Sequence, residues 1–199
     1  MSKNYLDMIG QNSSMLASKF RGALLGLAIG DALGTTLEFS ARDSAPKVTD
    51  LVGGGPFNLE PGQWTDDTSM ALCLAHSLLR KEGLVLQDQM DLYLQWWKNG
   101  AFSVNRKCFD IGNTVVSALQ RYEKTGDPLS GSSDKNAAGN GSLMRLAPVA
   151  LFFFGRPDAC VNASGASSET THRAPEAIDA CKYFGGGIVD PRSETPRAL

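Results

Sequence analysis

Thr65-Asp66-Asp67-Thr68 sets two adjacent carboxylates between two hydroxyls at the expected start of a helix. A threonine cap with acids in the first turn is one explanation, since carboxylates complement the positive end of a helix. The second carboxylate adds like-charge repulsion that a cap does not need. A hard cation such as Mg²⁺ would absorb it, because it takes carboxylate and neutral oxygens and keeps several waters. Both readings stay open on these residues alone. Asp31, in Gly30-Asp31-Ala32-Leu33-Gly34, falls at the negative end of a preceding helix and therefore needs a metal or a basic residue as partner. Glu38 follows in a loop, and Asp110-Ile111-Gly112-Asn113 puts another acid before a later helix, where capping is the ordinary role. Gly139-Asn140-Gly141-Ser142 offers free amides that hold a phosphate, or a plain turn with a serine cap. Arg145 either reaches that phosphate or lies solvated at the surface, and His172 either packs structurally or donates a hydrogen bond beside the ligand.

The elements that must position these groups are helices. Apolar residues recur every three or four positions, with no sustained period-two alternation, and the pattern predicts about seven helices in an all-α, compact single domain. The first is expected over 14–32, with Leu16, Phe20, Ala23, Leu24 and Leu27 on one stripe. Gly22, Gly26, Gly30 and Gly34 recur through the same segment and forfeit roughly 3–4 kcal/mol of propensity. That bare face is expected to receive a packed helix or a ligand.

The second helix is expected from Thr65 to before Gly83, with Met70, Leu74 and Leu78 inward. The third covers 87–99 with Met90, Tyr93, Leu94 and Trp97 inward, and the fourth runs from Asp110 or Asn113 to Lys124 with Val115, Leu119 and Tyr122 inward. A polar stretch from Asp127 to Gly141 is long enough to be functional or disordered. A fifth helix is expected over 142–155, where Pro148 kinks it or marks its true first turn. Two more are expected over 158–164 and 175–184. Residues 1–13 are expected to form an arm, 14–184 the domain and 185–199 a tail.

Composition narrows the class. The 199 residues carry 19 Lys+Arg against 21 Asp+Glu, a formal charge of −2, so no overall field favours nucleic acid or an anionic membrane. The longest apolar stretch, Leu146 to Phe154, contains Pro148 and is far shorter than the roughly 20 residues a span needs. The first residues lack the apolar core of a secretory signal, so a cytoplasmic location is expected. Cys73, Cys108, Cys160 and Cys181 include no closely spaced pair and read as packed, reduced thiols.

Six segments in one order resemble the ADP-ribosylglycohydrolase family: Gly22 to Gly34 with its repeated glycines and Asp31, then Glu38, Trp64-Thr65-Asp66-Asp67-Thr68, Asp110-x-Gly112-Asn113, Gly139 to Arg145, and Thr171-His172-x-x-Pro175. The resemblance implies an all-α fold with a binuclear Mg²⁺ centre. It makes Thr65, Asp66 and Asp67 metal ligands, and Glu38 and Asp110 catalytic carboxylates. Gly139, Asn140, Gly141, Ser142 and His172 become the lining of an ADP-ribose site. Its substrate would be an ADP-ribosylated protein or an ADP-ribose-containing small molecule. The family's late Asp-x-Asp-Thr run does not occur here, and Asp190 to Thr195 does not reproduce it. A C-terminally shortened member with an incomplete metal centre is therefore expected, with two alternatives: a catalytically silent ADP-ribose-binding module, or a helical protein whose Asp66 and Asp67 only cap.

Overall fold

The computed structural model describes residues 3–45 and 47–189, with side chains described from residue 14 to residue 187 apart from residue 46. Seven α-helices are present among them: α1 (Lys3–Gly34), α2 (Asp66–Lys81), α3 (Leu86–Asn99), α4 (Asn113–Thr125), α5 (Ala147–Phe152), α6 (Pro157–Glu169) and α7 (Pro175–Val189), joined by three short 3₁₀ turns. No strand occurs among the described residues, only two isolated bridges. The fold is all-α, and none of these helices is long and apolar enough to cross a membrane.

α2 is the spine. Its Met70 and Cys73 enter a core with Met90, Leu92, Tyr93 and Trp96 of α3 and Val115, Leu119 and Tyr122 of α4. Leu74 and Leu78, about 100° further round the helix, enter a second core with Leu146, Val149 and Ala150, Cys160 and Ala163 of α6, and Cys181 of α7. The inward stripes expected for α2 and α4 are the buried ones. In α3 the centre is Trp96, fully buried and donating its indole N–H to Ser103, while Leu94 and Trp97 pack at the edge. α3 and α4 both stop where Gly100 and Gly126 take left-handed backbone at φ 68° and 72°.

Several boundaries differ from expectation. α1 begins at Lys3 and not near Ser14, because residues 3–13 contain no proline and only one glycine, so nothing interrupts the helix. The segment expected to be an arm is helical from Lys3 on. The fifth helix does not start at Ser142: Asn140–Ser142 is a separate 3₁₀ turn, and Pro148 sits in the first turn of α5, where its missing N–H costs nothing. α6 continues to Glu169, and α7 continues to Val189, so 185–189 are helix; the rest of the expected tail lies outside the described residues.

No described residue meets the glycine stripe of α1. A Cβ at Gly22, Gly26, Gly30 or Gly34 would find no atom within 4 Å among the described residues, so the close neighbour expected there is absent from them. Of the expected apolar stripe only Phe20 and Leu27 are half-buried, while Leu16 and Leu24 are exposed. α1 is fastened chiefly by its last turn and by Phe20, whose ring meets Phe154 edge-on at 5.3 Å.

Candidate functional site

Asp31 organises the acidic end of the site. Its carboxylate accepts the Thr65 amide at 3.0 Å, the Thr65 hydroxyl at 2.7 Å, the Thr68 amide at 3.0 Å and the Thr68 hydroxyl at 2.7 Å. The last turn of α1 thus caps α2 from outside, and the acid at the negative end of one helix meets the positive end of another. Two amides and two hydroxyls, not a basic residue, are its partners among the described residues. Thr65 stands at the N-cap position, yet its hydroxyl does not cap its own helix. It donates to Asp31, so its oxygen lone pairs are not used by that bond.

Two further connections bring Glu38 and Asp110 to this end. The 3₁₀ turn Thr35–Leu37 carries Glu38 immediately after α1, and Thr35 Oγ1 lies 3.3 Å from Glu38 Oε2. Gly55 lets the loop run beneath that turn, where a Cβ would come 2.5 Å from the Thr35 carbonyl oxygen; the Thr36 hydroxyl also donates to the Gly53 carbonyl. Phe57 then packs against Phe39 at 6.4 Å and Phe109 at 5.3 Å, so the residues next to Glu38 and Asp110 share one aromatic hook. Asp110 itself takes a left-handed backbone at φ 57° just before α4, a conformation aspartate tolerates better than most residues.

Electrostatics register the convergence. Burial, with the charges of Asp67, Asp110 and Asp31 added, pushes the Asp66 carboxyl up to about 8. Burial and the neighbouring Asp31 push Asp67 up to about 6. Burial and Glu38 close against it push Asp110 up to about 7. Among the described residues no Lys, Arg or His forms an ion pair with any of these five acids. An acidic cluster with no basic partner has the donor chemistry of a hard-cation site. Among the described residues, however, no three acidic, histidine or cysteine side chains already converge in metal-holding geometry. What these residues offer is a partial shell of oxygens, Thr65, Asp66 and Asp67, which needs water or further ligands to close.

The second half of the site is built around Gly139–Ser142. Gly139 and Asn140 are exposed, Gly141 is half-buried, and Ser142 is buried with its hydroxyl 2.8 Å from Ser168 Oγ. Ser142 as a whole is therefore turned away from the outer face of the turn. His172 lies under the turn, 2 % exposed, with Nδ1 2.9 Å from the Thr171 hydroxyl. Burial, and then the charge of Arg145, hold its ring down to about 4, so it is neutral at neutral pH. The segment expected to be disordered or functional is ordered here: Ser132 pairs with His172, and Gly131 N–H donates to the Glu169 carbonyl at 3.0 Å.

α4 joins the two halves, with Asp110 just before its N-terminus and Val115 one turn in, against Gly141. A cavity of about 290 Å³ lies between α4 and the segment before the turn, lined by Asn113, Thr114, Ser117 and Arg121 of α4 and by Ser132, Asp134, Asn136 and Ala137. Arg145 does neither of the things its sequence position suggests, since it is fully buried beneath the turn.

A Cβ at Gly141 would come 2.7 Å from His172 Cε1 and 3.1 Å from Nε2. Gly141→Ala is expected to cost about 1–3 kcal/mol and to push the imidazole off Thr171. A melting temperature and His172 ring shifts identical to the wild type would refute the contact.

The convergence of Asp31, the aromatic hook, Gly55 and the burial of Arg145 were not foreseen from sequence. Only the Asp31 problem left a signal, an acid placed against the helix dipole.

Comparison with known proteins accounts for the same segments. The ADP-ribosylglycohydrolase family profile matches residues 12–190. The ADP-ribosylarginine hydrolase Tri1 of Serratia proteamaculans is 46% identical over 167 residues, covering 84% of this chain and 45% of that protein. The ADP-ribosyl-(dinitrogen reductase) glycohydrolase of Rhodospirillum rubrum is 36% identical over 168 residues, covering 82% of this chain and 54% of that one. A solved structure described as an ADP-ribosylglycohydrolase-related protein complex superposes with a TM-score of 0.72 at 44% identity, over 83% of this chain and 53% of that one. The chain spans about half the length of the curated relatives it matches. With nearly its whole length matched by the profile, and the matched segments being those that build the two halves of the site, the chain belongs to the ADP-ribosylglycohydrolase family.

Proposed function

We propose that this chain carries the acidic and nucleotide-facing part of a site that hydrolyses the bond between ADP-ribose and an arginine side chain of a modified protein. The observation that supports this best is the gathering of Glu38, Asp66, Asp67 and Asp110 about Thr65 without a basic partner. The arginine acceptor is suggested by the names of the relatives from Serratia proteamaculans and Pseudomonas putida, both ADP-ribosylarginine hydrolases.

Cleavage of a glycosidic bond develops positive charge on the anomeric carbon. Carboxylates around that carbon stabilise it, and one of them takes the proton of the attacking water as the C–O bond forms and the C–N bond breaks. Glu38, at the edge of the cluster, suits the role of proton acceptor. Asp110, close against Glu38 and within reach of Thr65, suits the role of proton donor to the leaving guanidine. The exposed Gly139 and Asn140, with Gly141 and the buried His172 behind them, and the cavity along α4 would form the other end, where the phosphates and nucleoside would lie. Thr65, Asp66 and Asp67 would hold Mg²⁺, which orients ribose hydroxyls and water when bound.

The test is release of free ADP-ribose from an ADP-ribosylated arginine peptide with Mg²⁺ present. Asp66→Asn with Asp67→Asn is expected to cut release by about 10²–10⁴-fold. The incomplete convergence of metal-holding side chains favours a second reading, a module that binds ADP-ribose without cleaving it. Saturable ADP-ribose binding with no release selects that reading; neither binding nor release sinks both.

A further inference from the structure

Arg145 is a buried cation without a counter-ion. It is fully buried, and no carboxylate among the described residues pairs with it. Its guanidinium lies over the Tyr93 ring, 4.7 Å from the centroid. One nitrogen, Nη1, donates to the Gly141 carbonyl at 3.1 Å. The other, Nη2, donates to the Ser167 carbonyl and the Thr170 hydroxyl, each at 3.2 Å. Gln89 braces the same two groups from α3, donating to the Ser167 carbonyl at 3.2 Å and the Thr170 hydroxyl at 3.1 Å.

Burying a charge is expensive unless its environment compensates, and neutral acceptors with an aromatic face compensate only in part. The Nε–H has no partner. A packing role alone would be served by a neutral residue at lower cost. What the guanidinium achieves that a neutral chain would not is to tie the Gly141 carbonyl to the end of α6. That end also fixes His172, whose amide donates to the Ser168 carbonyl at 2.8 Å. Ser168 Oγ lies 2.8 Å from Ser142 Oγ and 2.9 Å from the His172 carbonyl oxygen. The turn and the imidazole are thereby held in one register, with Gly141 against His172 Cε1.

We infer that Arg145 is the positioning residue of the Gly139–Ser142 turn, drawing the Gly141 carbonyl inward onto the end of α6 so that the turn is seated on the buried His172 ring and its outer face is held ready for the ligand. This rests on the proposed ADP-ribose reading for the ligand, and on the hydrogen bonds alone for the positioning. A lysine keeps the charge but has no fork to reach Gly141 and α6 together. A methionine keeps the stem and loses both.

The test uses the full chain as wild type, Arg145→Lys and Arg145→Met. It measures amide exchange at Gly141 to Leu143, the ¹⁵N titration of the His172 ring, ADP-ribose affinity, and the Mg²⁺-induced change in melting temperature. Both variants are expected to exchange faster at the turn and to bind ADP-ribose about tenfold more weakly or worse, with the Mg²⁺ response unchanged. The His172 midpoint is expected to rise from about 4 in Arg145→Met and to stay near 4 in Arg145→Lys. Wild-type protection at Gly141 to Leu143 in Arg145→Lys overturns the inference even if the methionine variant fails to fold. Wild-type affinity in a variant with altered exchange also overturns it. If the wild type shows no ADP-ribose binding while exchange and the His172 midpoint respond as stated, the ADP-ribose reading fails and the positioning role stands.

Discussion

Asp31→Ala is expected to lower the melting temperature by about 5–10 °C, the size that a loss of roughly 2–4 kcal/mol produces in a chain of this length. The alanine leaves two first-turn amides and two threonine hydroxyls of α2 without the acceptor they share. A lost cap costs about 1 kcal/mol, and hydrogen bonds to a charged group about 1.5–3 kcal/mol each, with part of that recovered by water. One term opposes it: removing Asp31 relieves repulsion on Asp66 and Asp67. Because that repulsion requires ionised acids, the loss should be larger at pH 5 than at pH 8. Asp31→Asn, which keeps one acceptor oxygen, should fall between. A variant melting within 1 °C of wild type at pH 5 would show that α1 does not hold the start of α2. Hydrogen exchange should map the damage to residues 65–69, at the head of the helix that both hydrophobic cores share.

What the sequence made legible follows from range. Helix stops at Gly100 and Gly126 depend on one residue's backbone preference, and both could be read directly. The inward faces of α2 and α4 depend on a repeat of three to four residues and were equally readable. The acidic pair after Trp64 announced itself because two adjacent carboxylates at a helix start exceed what capping requires. Contacts over long separations could not be read this way. Asp31 was visibly unsatisfied, but its partner lies 34 residues away and is a helix end, not a charge. Arg145 carries no local mark of burial; its place over the Tyr93 ring and against Ser167 and Thr170, both distant in sequence, goes with its removal from solvent. The glycines of α1 show the converse, since spacing suggests a close approach and no described residue supplies it.

The cation-free protein is expected to lose stability as the pH rises from about 4 to about 8, with a melting temperature at pH 8 roughly 5 °C or more below that at pH 5. The sign follows from linkage. Asp66, Asp67 and Asp110 have folded values of about 8, 6 and 7, above the ordinary 3.8, so between those limits these three groups hold more protons in the folded chain than in the unfolded one. They outweigh His172, whose value of about 4 acts with the opposite sign below its ordinary 6.5. Stability then falls with rising pH, the reverse of a salt-bridged carboxylate. The advantage is complete below the ordinary carboxylate value and disappears as pH passes through the folded ones. Asp66→Asn removes the group with the highest value and relieves its neighbours, so it should flatten the profile and melt above wild type at pH 8. Binding of Mg²⁺ by the wild type would supply the missing positive charge and restore stability by an amount that grows with the logarithm of the ratio of Mg²⁺ concentration to Kd. The restoration should be greatest at pH 8 and small at pH 5, where protons already occupy the acids. Melting curves at pH 5, 6.5 and 8, each with EDTA and with excess Mg²⁺, distinguish the outcomes. A wild-type profile that stays flat or rises toward pH 8 in EDTA would mean that the acids do not crowd one another. Equal Mg²⁺ stabilisation of wild type and Asp66→Asn would move the cation elsewhere on the chain.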